Sequence, residues 1–216
     1  MPKETEAGPL FGDDEDAEFY RWYGRWQPLD PAGTARLLDG AGVRWWIVGG
    51  WAVDAFTRQS REHEDIDISF FKADLPAVVA HLAPDYCIWS NASGTLRPLR
   101  KATDLLPDCR QLWLRRDGDS PWLADFALNP QDGQTWISAR WEGVRLPIDE
   151  ALFTGDDGLS YLRPEIVIWM KAHRTSAKDE RDLALMLPML ETHRRAWLRR
   201  TLKTTHPGHK WLRRLT

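Results

Sequence analysis

Hydrophobic positions change period along the chain. Short apolar runs with strand composition alternate with helical patches up to about residue 150, and helical spacing dominates after Pro164. Asp30-Pro31 is an N-cap followed by a first-turn proline, and predicts a helix through Leu37 and Leu38 that stops at Gly40 or Gly42. Trp45-Trp46-Ile47-Val48 predicts a buried strand, Gly49-Gly50 a turn, and Trp51 to Phe56 the start of a helix. A strand is expected over Ile66 to Phe71, and a helix capped by Asp74-Leu75-Pro76 runs to Leu82. Further strands are predicted over Tyr86 to Trp89, Gln111 to Arg115, Trp122 to Leu128 and Thr135 to Arg140. Helices follow over Glu165 to His173, Asp179 to Leu187 and Glu191 to about Lys203, with a short one after His206-Pro207. The expected fold class is α/β: a mixed sheet with flanking helices, then a C-terminal helical bundle.

Within this pattern, residues 48–68 are the most informative. Ile66-Asp67-Ile68 alternates with Asp65, and successive strand side chains point to opposite faces, so Asp65 and Asp67 share one side. Two carboxylates about 7 Å apart along a strand repel one another unless a cation sits between them. The upstream glycine pair lets the backbone turn sharply and lets a ligand approach main-chain N–H groups. A helix N-terminus behind it favours phosphate, although a plain tight turn satisfies the same residues. Together, amides for a phosphate tail and carboxylates for Mg²⁺ describe a metal–phosphate site.

Composition narrows the setting. The chain has 216 residues, enough for one core or a core with a helical appendix. A net charge of -3 gives no whole-molecule steering toward nucleic acid. No apolar run is long enough for a bilayer, and the N-terminus has no signal-peptide pattern, so a cytoplasmic setting is expected. Cys87 and Cys109 make neither a disulfide framework nor a zinc knuckle. The 13 Trp residues are expected mainly as core and pocket walls. Residues 1–28 form an acidic arm, with Glu4, Glu6, Asp13, Asp14, Glu15, Asp16 and Glu18 against Lys3 in its first part. After Glu191 there is no acid and a run from Arg194 to Arg214 is basic, which predicts an exposed helical face or, alternatively, an RNA- or phosphate-binding one. No P-loop occurs, and Gly40-Ala41-Gly42 lacks the third glycine of a dinucleotide fingerprint. Ser69-Phe70-Phe71-Lys72 matches Ser-x-x-Lys, but at a strand end and without the partner motifs of the β-lactam enzymes.

Gly49-Gly50 followed by Asp65-Ile66-Asp67-Ile68 resembles the signature of the polymerase-beta-like nucleotidyltransferase superfamily. Gly49-Gly50-Trp51-Ala52-Val53-Asp54 with Arg61-Glu62-His63-Glu64-Asp65 is similar to the aminoglycoside and lincosamide adenylyltransferases. Tyr161-Leu162-Arg163-Pro164-Glu165, Lys178-Asp179-Glu180-Arg181-Asp182 and Pro207-Gly208-His209-Lys210-Trp211-Leu212 resemble the C-terminal pattern of that group. The resemblance covers about residues 30 to 216. It implies a nucleotidyltransferase domain over 29–155 and a helical domain over 156–216. It also implies a third carboxylate on a neighbouring strand, best matched by Asp125 and less well by Asp104 or Asp108. Asp65, Asp67 and Asp125 would be the metal ligands, with Asp125 also the general base. Gly49, Gly50, Arg61, His63, Lys171 and Lys178 would contact the nucleotide. The implied reaction moves AMP from ATP to a hydroxyl of an aminoglycoside, or secondly a lincosamide, with Mg²⁺ and loss of pyrophosphate. Two alternatives stay open: a toxin-like enzyme acting on tRNA or protein, and a nucleotide-binding domain without turnover.

Overall fold

A computed structural model describes residues 13–173 and 175–215. The first twelve residues of the acidic arm lie outside the described residues. In chain order the helices are α1 (Asp13–Tyr23), α2 (Pro31–Leu38), α3 (Gly49–Thr57), α4 (Leu75–Leu82), α5 (Ile148–Ala151), α6 (Pro164–Lys171), α7 (Ala177–Met186) and α8 (Thr192–Thr205). The strands are β1 (Trp45–Ile47), β2 (Asp67–Phe71), β3 (Cys87–Ala92), β4 (Thr95–Pro98), β5 (Gln111–Arg115), β6 (Trp122–Asn129), β7 (Gln131–Asp132), β8 (Thr135–Ile137), β9 (Arg145–Pro147), β10 (Leu152–Thr154) and β11 (Ser160–Leu162). Two compact units share the chain discontinuously: one takes the residues up to Trp45 and Arg61–Asn129, the other Trp46–Ser60 and Pro130–Thr216.

In the first unit five strands lie in the order β2-β6-β5-β3-β4. β2 runs parallel to β6, and the other neighbours are antiparallel. The alternation expected around the acids is present: Ile66, Ile68 and Phe70 are fully buried, while Asp65 and Asp67 are partly exposed. Phe70 meets Phe126 edge-on across the β2–β6 pair, at 5.9 Å between ring centroids. α4 buries Leu75, Val78, Val79 and Leu82, the i, i+3, i+4, i+7 stripe that defines its apolar face. α2 begins as its sequence dictates, with Asp30 Oδ1 accepting from Gly33 N at 2.6 Å and Pro31 in the first turn.

A second apolar cluster joins Trp26, Trp113 and Trp122, with Phe19, Tyr20, Tyr23, Trp89 and Leu96 packed against it. Strict alternation would put Trp122 on the face of Ala124 and Phe126. A bulge where Arg115 meets Trp122 shifts the register, and Trp122 turns toward Trp113 at 5.3 Å. Arg115 lies between Trp89 and Trp122, at 4.6 and 4.4 Å from their ring centres. The later part of the acidic arm is therefore structured: Phe19, Tyr23 and Trp26 face this cluster.

In the second unit β1 is parallel to β11, which pairs antiparallel with β10; β7, β8 and β9 make a separate antiparallel sheet. The strand expected over Thr135 to Arg140 stops at Ile137, because Ser138 Oγ accepts from the backbone N–H groups of Arg140 and Trp141 and closes a turn. α3 packs on α6 and α7 and buries Ala52, Val53, Asp54 and Thr57, and α6 packs on α8. The helix predicted from Trp51 begins two residues earlier, at Gly49, whose φ of 67° is a conformation that only glycine adopts freely. Ser176 opens α7 with a reciprocal capping box to Asp179. Among the described residues no helix is long and apolar enough to cross a membrane.

Candidate functional site

Asp67 and Asp125 are direct register partners in the parallel β2–β6 ladder. Asp125 N donates to Ile66 O at 3.1 Å, so the pairing reaches past the end of β2 to the residue between the two acids. Asp65 lies just before the strand and acts electrostatically on Asp125. Asp67 and Asp125 are therefore side by side, with Asp65 near enough to act on Asp125 through its charge. The weaker third-acid candidates do not join this ladder: Asp104 accepts from Lys101 N in a local turn, and Asp108 is exposed.

The two oxygens of Asp125 differ. Oδ2 accepts from Trp113 Nε1 at 3.0 Å and from Gln111 Nε2 at 3.1 Å. Oδ1 is buried and has no hydrogen-bond partner. Trp113 stands opposite Asp125 in the β5–β6 register, and Gln111 is two residues along the same face. Sequence reasoning missed both donors, because nothing local to β5 shows which β6 residue they face.

Burial pushes the Asp125 carboxyl well above the usual carboxylate range, and the negative charge of Asp67 adds to this. The Trp113 hydrogen bond opposes the shift, and Asp65 adds a smaller push upward. A raised native value means that the folded chain holds this proton more tightly than the unfolded chain does. Its stability contribution is full below the ordinary carboxylate pKa of about 4 and is lost as pH rises through the raised value. Thermal melts of the chelated protein should therefore fall with rising pH over that window, and Asp125→Asn should flatten the fall. Equal pH slopes for the two proteins would contradict this.

A buried oxygen without a partner beside two further carboxylates fits a divalent cation better than a closed structural network. Among the described residues no three acidic, His or Cys side chains form a ready-made metal cage. Mg²⁺ does not need one, since it is held by one or two carboxylates plus waters and substrate phosphate oxygens.

The remaining predicted contacts are placed as follows. Gly49 and Gly50 form the first turn of α3, where Val48 provides no side-chain cap. Arg61 and His63 lie in the irregular segment before β2, both partly buried. Lys178 is in the first turn of α7. Lys171 Nζ sits 2.6 Å from Asp182 and 3.2 Å from Asp179, so its charge is answered by two acids of α7. Glu180, in the same string, takes Lys210 at 2.5 Å, Arg214 at 2.9 Å and the Trp211 indole at 2.9 Å. The two C-terminal strings thus meet as scaffolding. Arg194 is bound to Glu165, and Arg195 to Leu187 O, which leaves Arg199, Arg200 and Lys203 as the exposed basic part of α8. Ser69 donates to Ala127 O across the β2–β6 ladder, which is a structural use of the hydroxyl.

A family model described as aminoglycoside-2''-adenylyltransferase matches residues 34–118. The lincomycin-bound lincosamide antibiotic adenylyltransferase LnuA superposes with a TM-score of 0.52 at 19% identity, covering 76% of this chain and all of the other. ANT(2'')-Ia, in complex with adenylyl-2''-tobramycin, gives a TM-score of 0.50 at 16% identity, covering 78% of this chain and 92% of that one. The solution structure of ANT(2'')-Ia, a factor in antibiotic resistance, gives 0.50 at 18% identity, covering 78% and 86%. No curated protein matches. Family match and fold agree with the resemblance read from the sequence, that of an antibiotic nucleotidyltransferase with a mixed α/β fold.

Proposed function

We propose that this chain, matched to the aminoglycoside adenylyltransferases over residues 34–118 and folded like two antibiotic adenylyltransferases, transfers AMP from ATP to a hydroxyl of an aminoglycoside. The observation that carries the proposal is the register pairing of Asp67 with Asp125, together with the buried and unpartnered Oδ1 of Asp125. Asp65, Asp67 and Asp125 are the residues that would hold Mg²⁺. The ion, when bound, neutralises charge on phosphate oxygens. Asp125 is assigned to take the proton of the attacking hydroxyl. The acceptor oxygen forms a bond to the α-phosphorus, the bond to pyrophosphate breaks, and pyrophosphate leaves. Backbone amides at Gly49 and Gly50, with Arg61, His63 and Lys178, are assigned to the nucleotide. Lys171, already paired with Asp179 and Asp182, would join that group through its third ammonium proton.

Pyrophosphate release from ATP, GTP, CTP and UTP against aminoglycosides, lincosamides and bulk tRNA tests this. Release is expected with ATP and an aminoglycoside, and lost in Asp65→Asn/Asp67→Asn. Release with a lincosamide alone would move the acceptor to the second class. Release with tRNA alone, or an unaffected double variant, would overturn the proposal.

A further inference from the structure

The geometry points to Trp113 and Gln111 as positioning residues for Asp125, an inference that rests on the nucleotidyltransferase proposal above. A carboxylate on a strand can rotate about its terminal bond, and rotation exchanges its two oxygens. Here two donors converge on one oxygen. The Trp113 indole N–H and the Gln111 amide both reach Oδ2, at 3.0 and 3.1 Å, and neither reaches Oδ1. The pair fixes the plane of the carboxylate and reserves Oδ1 for whatever Asp125 acts on. Neither donor is charged, so neither neutralises the acid that must accept a proton.

Trp113 is itself braced. Its ring lies 5.1 Å from Trp26, 5.3 Å from Trp122, 6.0 Å from Tyr23 and 6.3 Å from Phe19, mostly edge to face. The brace draws on α1 and the segment after it, and on the β6 bulge that brings Trp122 to this face. A Trp at position 113 is thus held from behind by aromatic packing and spends its one polar atom on Asp125. The N-terminal helix is tied to the catalytic carboxylate through a single indole.

The test uses the full chain with Trp113→Phe, Gln111→Ala, the double variant and Asp125→Asn. Gln111 is exposed, so its variant keeps the core intact even if loss of the indole lowers the melting temperature. Removing a group that orients a metal-site ligand costs about tenfold or more in activity or metal affinity. Each single variant should lower kcat about tenfold with KM for ATP little changed. The double variant should fall short of the product of the singles, because both bonds end on one oxygen. Mn²⁺ affinity without nucleotide, read by electron paramagnetic resonance, should weaken in the double variant while Gln111→Ala melts like the parent. Parental kcat and Mn²⁺ affinity in all three, with Asp125→Asn inactive, would overturn the positioning role and leave the proposed function standing. An Asp125→Asn protein as active as the parent would overturn both.

Discussion

Asp67→Asn is expected to lower kcat by about a thousandfold while the metal-free fold melts at the same temperature or slightly higher. The rate loss follows from the proposed role of Asp67 in holding Mg²⁺, a thousandfold corresponding to about 4 kcal/mol of stabilisation of the transferring phosphoryl group. The unharmed fold follows from the electrostatics. Asp67 is the register partner of Asp125, and its charge is one of the forces that raises the Asp125 carboxyl. Neutralising it relieves a repulsion that the metal-free chain otherwise bears, at almost no change in side-chain volume. Steady-state pyrophosphate release and a thermal melt in chelator check the two halves. A large fall in melting temperature would mean that Asp67 serves the fold, and the rate loss would then carry no mechanistic weight.

Lys171→Met should have the largest effect on stability. Asp182 is 0% exposed, and its carboxylate lies 2.6 Å from Lys171 Nζ. Removing one member of a buried ion pair leaves a charge without its counterion and costs about 3 kcal/mol or more. The urea midpoint should drop by about 1 M. Lys171→Met/Asp182→Leu should recover part of the loss, because it removes the buried charge as well. This pair of variants also separates the two roles open to Lys171. If the double variant regains stability and keeps the parent's KM for ATP, the lysine is scaffolding; if KM rises with stability restored, the nucleotide contact is real.

How much of this was legible in the sequence depended on whether a feature was local. Asp65 and Asp67 could be read because alternation is an intra-strand property, and Ile66 and Ile68 mark the buried face unambiguously. Asp125 was findable through its apolar neighbours Ala124 and Phe126 and through the resemblance. Trp113 and Gln111 were not, because their role exists only once β5 and β6 fall into register. Nor was the turn of Trp122 toward Trp113, since a bulge resets the period on which strand reading depends. The start of α3 was misjudged by two residues because Gly49 and Gly50 are poor helix formers; packing of α3 on α6 and α7 outweighs propensity. The short strands β10 and β11 carry too few residues to show alternation at all, and Tyr161-Leu162 stood out only as part of a family string. The basic tail was ambiguous for a similar reason: composition cannot show that Glu165 and Glu180 absorb several of its charges.

The parallel pairing of Asp67 with Asp125 has an evolutionary consequence. The stretch of chain between them makes α4, β3, β4 and β5 and then returns, yet the two acids are brought together by a backbone ladder and not by the length of that excursion. The β3–β4 turn, where Ser93 and Gly94 both have positive φ, lies at its far edge, three strands away from β2. Insertions there would lengthen the distance between the acids in sequence and leave it unchanged in space. Such a hairpin is a place where related chains can change length without separating the two acids.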